Sequence, residues 1–196
     1  MPRTLYFITH PNVVISREIP VPQWPLSEVG RNRMKAGLRH PWMMDLTSIY
    51  CSTEQKAIDG AEIMAHHLSL GYTQVQALGE NDRSTTGFLP PSEFEAVADE
   101  FFAKPAQSVR GWEKAADAQA RIVDAVCSIA ATDQSKGAIA IVAHGAVGTL
   151  LYCYLSGHEI ARRWDQPPNS GGNYYAFELN PNRVFSWWKA IDETAL

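Results

Sequence analysis

Short apolar runs alternate with longer amphipathic ones along this chain. Thr4 to Ile8 is rich in β-formers and stops at His10-Pro11. The stretch that follows holds Pro11, Pro20, Pro22 and Pro25 and reads as loop. Ser27 is placed to cap a helix to about Leu38, with Val29, Met34 and Leu38 on its apolar face. Ser48 to Cys51 reads as a second strand. Ser52 and Gln55 make a capping box for a helix through Ala57, Ile58, Ala61, Ile63, Met64 and Leu68. Thr73 to Ala77 is a third strand, followed by a polar loop from Gly79 to Gly87. A second capping box, Ser92 with Glu95, opens a helix to about Phe102, and Trp112 to Ala131 is a long Ala-rich helix. Ala138 to Ala143 is the clearest strand, apolar throughout as a central parallel strand should be. His144-Gly145 follow, then a buried helix from Val147 to Leu155. Tyr174 to Leu179 and Val184 to Trp188 flank the turn Asn180-Pro181-Asn182 as an antiparallel hairpin. This alternation predicts an α/β fold with a central, mainly parallel sheet and helices on both faces. No repeat or linker interrupts it, so residues 1–196 read as a single domain.

Composition narrows the function. Apolar residues make up 45% and charged residues 19%, a globular and not a disordered balance. The net charge of −4 argues against a nucleic-acid partner, which asks for a basic surface. No apolar run approaches the roughly 20 residues of a membrane helix. The N-terminal run is broken at His10-Pro11, so no signal peptide and no membrane association are expected. Cys51, Cys127 and Cys153 are odd in number and form no CxxC pair; they read as reduced thiols of a cytoplasmic protein.

In such a fold, ligands bind beyond the carboxyl ends of the strands. His10 follows the first strand, Lys56 lies one turn into the helix after the second, Glu80 follows the third, and His144 follows the central strand. Each alone has a plain reading: a strand-end cap, an exposed helix lysine, a solvated loop charge. Together they form an acid/base constellation with a cationic bias. His66 and His67 suit a helix C-terminus, and His40 and His158 carry no signal of their own. No HExxH, EF-hand or phosphate-cradling Gly-rich loop is present, so no cofactor or metal is expected. A zinc site from His10, His144 and Glu80 is conceivable, but nothing in the spacing asks for it.

Several ordered motifs resemble the histidine phosphatase superfamily, also called phosphoglycerate mutase-like. LYFITHPNV is similar to its first-strand motif, strand–Arg-His-Gly, and PLSEVGRNRM to its Pro-Leu-Thr-x-x-Gly helix start. IYCSTEQKAIDGAEIMA resembles Ser-Ser-x-x-x-Arg-Ala-x-x-Thr-Ala, LGENDRSTTGF the acid loop, and IAIVAHGAVGTLL the second His-Gly motif. The resemblance implies a three-layer α/β/α fold with His10 and His144 on neighbouring strands, their rings within about 5–7 Å so that both can touch one phosphate-sized anion. It implies a metal-independent phosphatase acting on a small phosphorylated metabolite or phosphoprotein. His10 would be the nucleophile of a phosphohistidine intermediate. Glu80 would protonate the leaving oxygen and then activate water, and His144 would donate to the phosphoryl oxygens.

The family's first arginine is Thr9 here, its glycine is Pro11, and its second arginine is Lys56. One bidentate donor is lost and another becomes a point charge. Thr9 and Lys56 then line the substrate's phosphate, and Arg17 and Arg83 are the candidates to restore the missing charge. The alternative reading is a catalytically impaired member that binds an anionic ligand or a partner protein. A phosphomutase ranks third, because it must exclude water and this chain has few insertions to seal a site.

Overall fold

A strand that is apolar on both faces must lie between two helical layers. Ala138–Ala143 forms such a strand, β4, buried along its whole length. Ala138, Ala140 and Val142 join one core cluster, and Ile139, Ile141 and Ala143 join the other, the period of two that a pleated strand imposes. The computed structural model describes residues 3–193.

β1 (Leu5–Thr9) and β2 (Leu46–Cys51) flank β4 in parallel, and β3 (Thr73–Gln74) lies parallel beyond β2. On the other side β5 (Asn173–Glu178) runs antiparallel to β1, and β6 (Arg183–Val184) and β7 (Lys189–Ala190) both pair antiparallel with β5. The order is β3-β2-β4-β1-β5-β6, with β7 also on β5. Helices α1 (Glu28–Gly37) and α2 (Gln55–Leu68) cover one face, where Met34, Ala61 and Met64 meet Ile8, Ile49 and Val142. Helices α4 (Ala115–Thr132) and α5 (Gly145–Leu155) cover the other, where Ile122, Val126 and Leu151 meet Phe7, Ile141 and Tyr175. Helix α3 (Pro91–Ala103) packs outside this layer through Phe101 and Phe102 on Trp112 and Leu150. The result is the mainly parallel three-layer α/β/α arrangement that the alternation predicts. Among the described residues, no helix is long and apolar enough to cross a membrane.

Several local expectations are corrected. Neither capping box forms. Helix α2 starts from Glu54 without a side-chain cap, Ser52 Oγ accepts from Glu54 N at 3.2 Å, and Gln55 turns to Asp59. Helix α3 starts at Pro91, whose fixed φ and missing N–H suit a first turn, and Glu95 turns out to Arg162. Thr73 to Ala77 is strand only at Thr73–Gln74, because Gln76–Leu78 winds into a 3₁₀ turn. Helix α4 starts at Ala115, leaving Trp112 free to fill the core under α3. The terminal hairpin is short, since β5 shares its outer edge between β6 and β7.

The carboxyl ends of β1, β4 and β2 are drawn level by two further bonds, His10 N to Ala143 O at 3.1 Å and Ser52 N to Val142 O at 3.0 Å. This rim carries the site.

Candidate active site

His10 and His144 leave adjacent strands, and their ring centroids lie 5.3 Å apart with the planes at 67°. His10 Nδ1 is 2.9 Å from Pro11 O. A carbonyl can only accept, so Nδ1 carries the hydrogen and Nε2 keeps a lone pair. Burial, reinforced by the Lys56 charge, lowers the His10 pKa to about 4. Burial also holds His144 well below the usual imidazole range, against the pull of the Glu54 carboxylate. Both rings are therefore neutral near pH 7. The main chain at His10 is clamped from behind: its carbonyl accepts from Gly172 N at 3.0 Å. Gly171 and Gly172 have φ of +76° and +67°, and a Cβ on Gly171 would fall 2.2 Å from His10 O. This backbone approach keeps the His10-Pro11 turn in place.

Lys56 is buried, with Nζ donating to Val21 O at 2.9 Å and to the Glu54 carboxylate. Glu54 Oε1 also accepts from Glu80 N at 2.9 Å and lies 3.3 Å from His144 Nε2. Burial pushes the Glu54 pKa up, but His144, Lys56 and these hydrogen bonds outweigh it and bring it to about 2. Sequence reasoning missed Glu54. An acid at a helix start reads as a dipole partner; the only hint was its place two residues before Lys56 on the same turn.

The acid loop is tied down by Arg121 of α4, which donates to Ala77 O and Gly79 O at 2.9 Å and to Glu80 O at 3.2 Å. The Glu80 carboxylate accepts from Ala146 N at 3.2 Å and Val147 N at 3.1 Å in the first turn of α5. Asn81 N adds a third bond at 3.2 Å. The acid thus sits on the positive end of the helix that follows His144.

Two clefts open at this rim. The one of about 660 Å³ is bordered by His10, Glu80, Arg83, Gly145 and Gln166. The other, of about 610 Å³, is bordered by Glu54, Glu80, Arg83, Arg17 and Phe88. Glu80, Asn81 and Arg83 are common to both. The Arg83 guanidinium lies 5.1 Å from the Phe94 ring and 5.6 Å from Trp112, a cation–π seat beside His10. Arg17 is exposed, 5.4 Å from Phe88, and borders only the second cleft. Thr9 is fully buried: its hydroxyl accepts from Asn173 N at 2.9 Å and lies 2.8 Å from Gln166 Oε1. So His10 and Glu80 border one cleft with Arg83, and His144 lies buried beside His10; Thr9 and Lys56 also sit behind the cleft walls, and Arg17 stands apart. Lys56 and Arg83 are balanced in formal charge by Glu54 and Glu80. Among the described residues, no group of three or more His, Cys, Asp or Glu side chains is placed to hold a metal ion.

No curated protein matches the chain. Solved structures do. A mycobacterial glucosyl-3-phosphoglycerate phosphatase with inorganic phosphate superposes with a TM-score of 0.79 at 18% identity, covering 98% of this chain and 100% of its own. YhfR of Bacillus stearothermophilus gives 0.77 at 23% identity, covering 98% of both chains. An Entamoeba histolytica phosphoserine phosphatase in complex with 3-phosphoglyceric acid gives 0.76 at 14% identity, covering 96% of this chain and 98% of its own. At these identities the likeness speaks for the fold. The family model for branch 1 of the histidine phosphatases matches residues 5–187, from β1 through β6, and the chain belongs to the histidine phosphatase superfamily.

Proposed function

We propose that this chain is a phosphomonoesterase that hydrolyses a small phosphorylated metabolite through a phosphohistidine at His10. The observation that carries this reading is the His10 ring: neutral, oriented by Nδ1–H on Pro11 O, and bordering a cleft that Glu80 and Arg83 also line. Nε2 attacks phosphorus as the bond to the leaving oxygen breaks, and that oxygen takes a proton from the Glu80 carboxyl. Glu80 Oε2, with a single N–H bond, is the oxygen left to hold that proton. In the second half-reaction the Glu80 carboxylate takes a proton from water, whose oxygen displaces the imidazole and releases inorganic phosphate. His144 adds an N–H to the phosphoryl oxygens, and Arg83 adds charge. Family membership and fold likeness to phosphatases support the class. The three unpaired cysteines support a reducing cytoplasmic setting.

A second reading rests on Glu54. Its carboxylate already lies on Lys56 and beside His144, where the resemblance puts the phosphate's donors, so an impaired member that binds an anion weakly is the alternative. Turnover of an aryl phosphate such as p-nitrophenyl phosphate, scanned across pH, separates the two. Hydrolysis by wild type and none by His10→Ala is expected; no turnover by wild type at any pH leaves the binding reading.

A further inference from the structure

Thr9 stands where the family pattern has an arginine, and its hydroxyl is turned away from the cleft. What that hydroxyl does is more informative than what it lacks. Its oxygen accepts from Asn173 N at 2.9 Å, and its single hydrogen has two acceptors in reach, Gln166 Oε1 at 2.8 Å and Asn173 O at 3.2 Å, of which Gln166 is the nearer. Asn173 Nδ2 donates to the same oxygen at 2.9 Å. In this arrangement of the amides the Gln166 carbonyl oxygen faces two buried groups, the Thr9 hydroxyl and the Asn173 amide. The opposite end, Nε2, makes no hydrogen bond among the described residues. It packs on Gly145, where a Cβ would fall 2.5 Å from it, and Gln166 borders the His10 cleft. The main chain is pinned as well: Gln166 N donates to Asp165 Oδ1 at 2.7 Å, and the Thr149 hydroxyl of α5 donates to the same oxygen at 2.8 Å.

We infer that Gln166 Nε2 is the hydrogen-bond donor that replaces the missing arginine at the phosphoryl group, with Thr9 and Asn173 as its positioning residues. This rests on the phosphomonoesterase reading of the same site. It accounts for several features at once: a buried threonine in the arginine position, an amide with its oxygen bonded from two sides and its nitrogen free, and a residue without a Cβ directly after His144. The donor is neutral and preorganised, so it adds N–H bonds to the phosphoryl oxygens without adding charge. Electrostatic attraction then falls to the arginines that line the cleft, Arg83, Arg162 and Arg163, and the pocket should bind monoanionic phosphoryl groups better, relative to dianionic ones, than a pocket with an arginine in the Thr9 position does.

The test is calorimetric titration of wild type and variants with orthovanadate and with inorganic phosphate, alongside steady-state aryl phosphate kinetics. Gln166→Glu keeps the oxygen that Thr9 and Asn173 hold but replaces the proposed donor with a negative charge; Gln166→Leu removes donor and acceptor without adding charge, so it isolates the donor's contribution. Each should weaken vanadate binding roughly 10- to 100-fold, the worth of hydrogen bonds to a charged ligand. kcat/KM should fall alike for aryl phosphates of different leaving groups, because the contact is to the shared phosphoryl group. Thr9→Val should give a smaller loss in the same direction, and Thr9→Ser should recover it. If Gln166→Glu and Gln166→Leu, folded by circular dichroism, bind vanadate within about twofold of wild type, the inferred role is wrong while the phosphatase reading stands. If wild type itself binds neither anion and turns nothing over, the phosphate site and the Gln166 role fall together.

Discussion

Lys56 offers the sharpest test of the site's electrostatics. It is 3% exposed, and Nζ has two partners, Val21 O and the Glu54 carboxylate. Lys56→Met fills similar volume and removes the charge. Glu54 would then be a half-buried carboxylate facing a neutral His144, with its strongest partner gone. Removing one member of a buried pair costs about 3–5 kcal/mol, because the other charge is left uncompensated. The stranded Val21 carbonyl adds about 1 kcal/mol. Against a total stability of about 5–15 kcal/mol this is a large share. The double variant Glu54→Leu/Lys56→Met removes both charges and should return to within about 1–2 kcal/mol of wild type, a coupling of at least about 2 kcal/mol. Urea unfolding followed by circular dichroism, with unchanged m values, measures all four corners of the cycle. A Lys56→Met loss below about 1 kcal/mol, or a double variant that merely adds the single losses, would refute the buried-pair account.

Glu80→Gln should slow alkyl phosphates far more than aryl phosphates, whose leaving groups need little protonation; equal slowing in steady-state assays would count against Glu80 as the proton donor. The histidines set a pH dependence. The unfolded chain protonates its imidazoles near 6.5, whereas the folded His10 does so only at about 4 and His144 resists protonation as well. Stability should therefore decline as pH falls from about 6.5 to about 4, and His10→Asn should flatten part of that decline in thermal melts. The depressed Glu54 contributes stability that is complete above about 4.5 and is lost as pH falls toward about 2. Arg121→Met frees Ala77 O, Gly79 O and Glu80 O together, and amide hydrogen exchange should accelerate at residues 77–81 while the β4 amides stay protected.

The fold was legible wherever burial alone decides structure. β4 runs Ala138–Ala143 as its unbroken apolar string requires, and the helix from Ser27 is capped as predicted, by Ser27 Oγ on Gly30 N. Legibility failed where side chains had a stronger offer elsewhere. Gln55 and Glu95 leave their capping positions for Asp59 and Arg162, bonds set by tertiary distance that no local spacing encodes. The histidines and Glu80 were found because strand ends gather them at one rim. Glu54 and Gln166 were not. The first looks like an ordinary helix-start acid; the second lies in a Pro-rich loop, joined to Thr9 only through the β1–β5 pairing that brings Asn173 alongside. Of the two arginine candidates from the chain alone, Arg17 stands on Phe88 in the neighbouring cleft, and Arg83 lines the His10 cleft together with Arg162 and Arg163.

The central claim is covalent chemistry at His10, and direct detection of phosphohistidine tests it. Wild type and His10→Ala are mixed with a phosphate-labelled aryl phosphate, quenched in base within the first turnover, and digested for mass spectrometry. Base preserves phosphohistidine and acid destroys it. The account predicts a phosphoryl group on the peptide holding His10 in wild type only, lost on acid treatment, with no turnover by His10→Ala. Undiminished hydrolysis by His10→Ala, or rapid wild-type turnover that never labels His10, would contradict it.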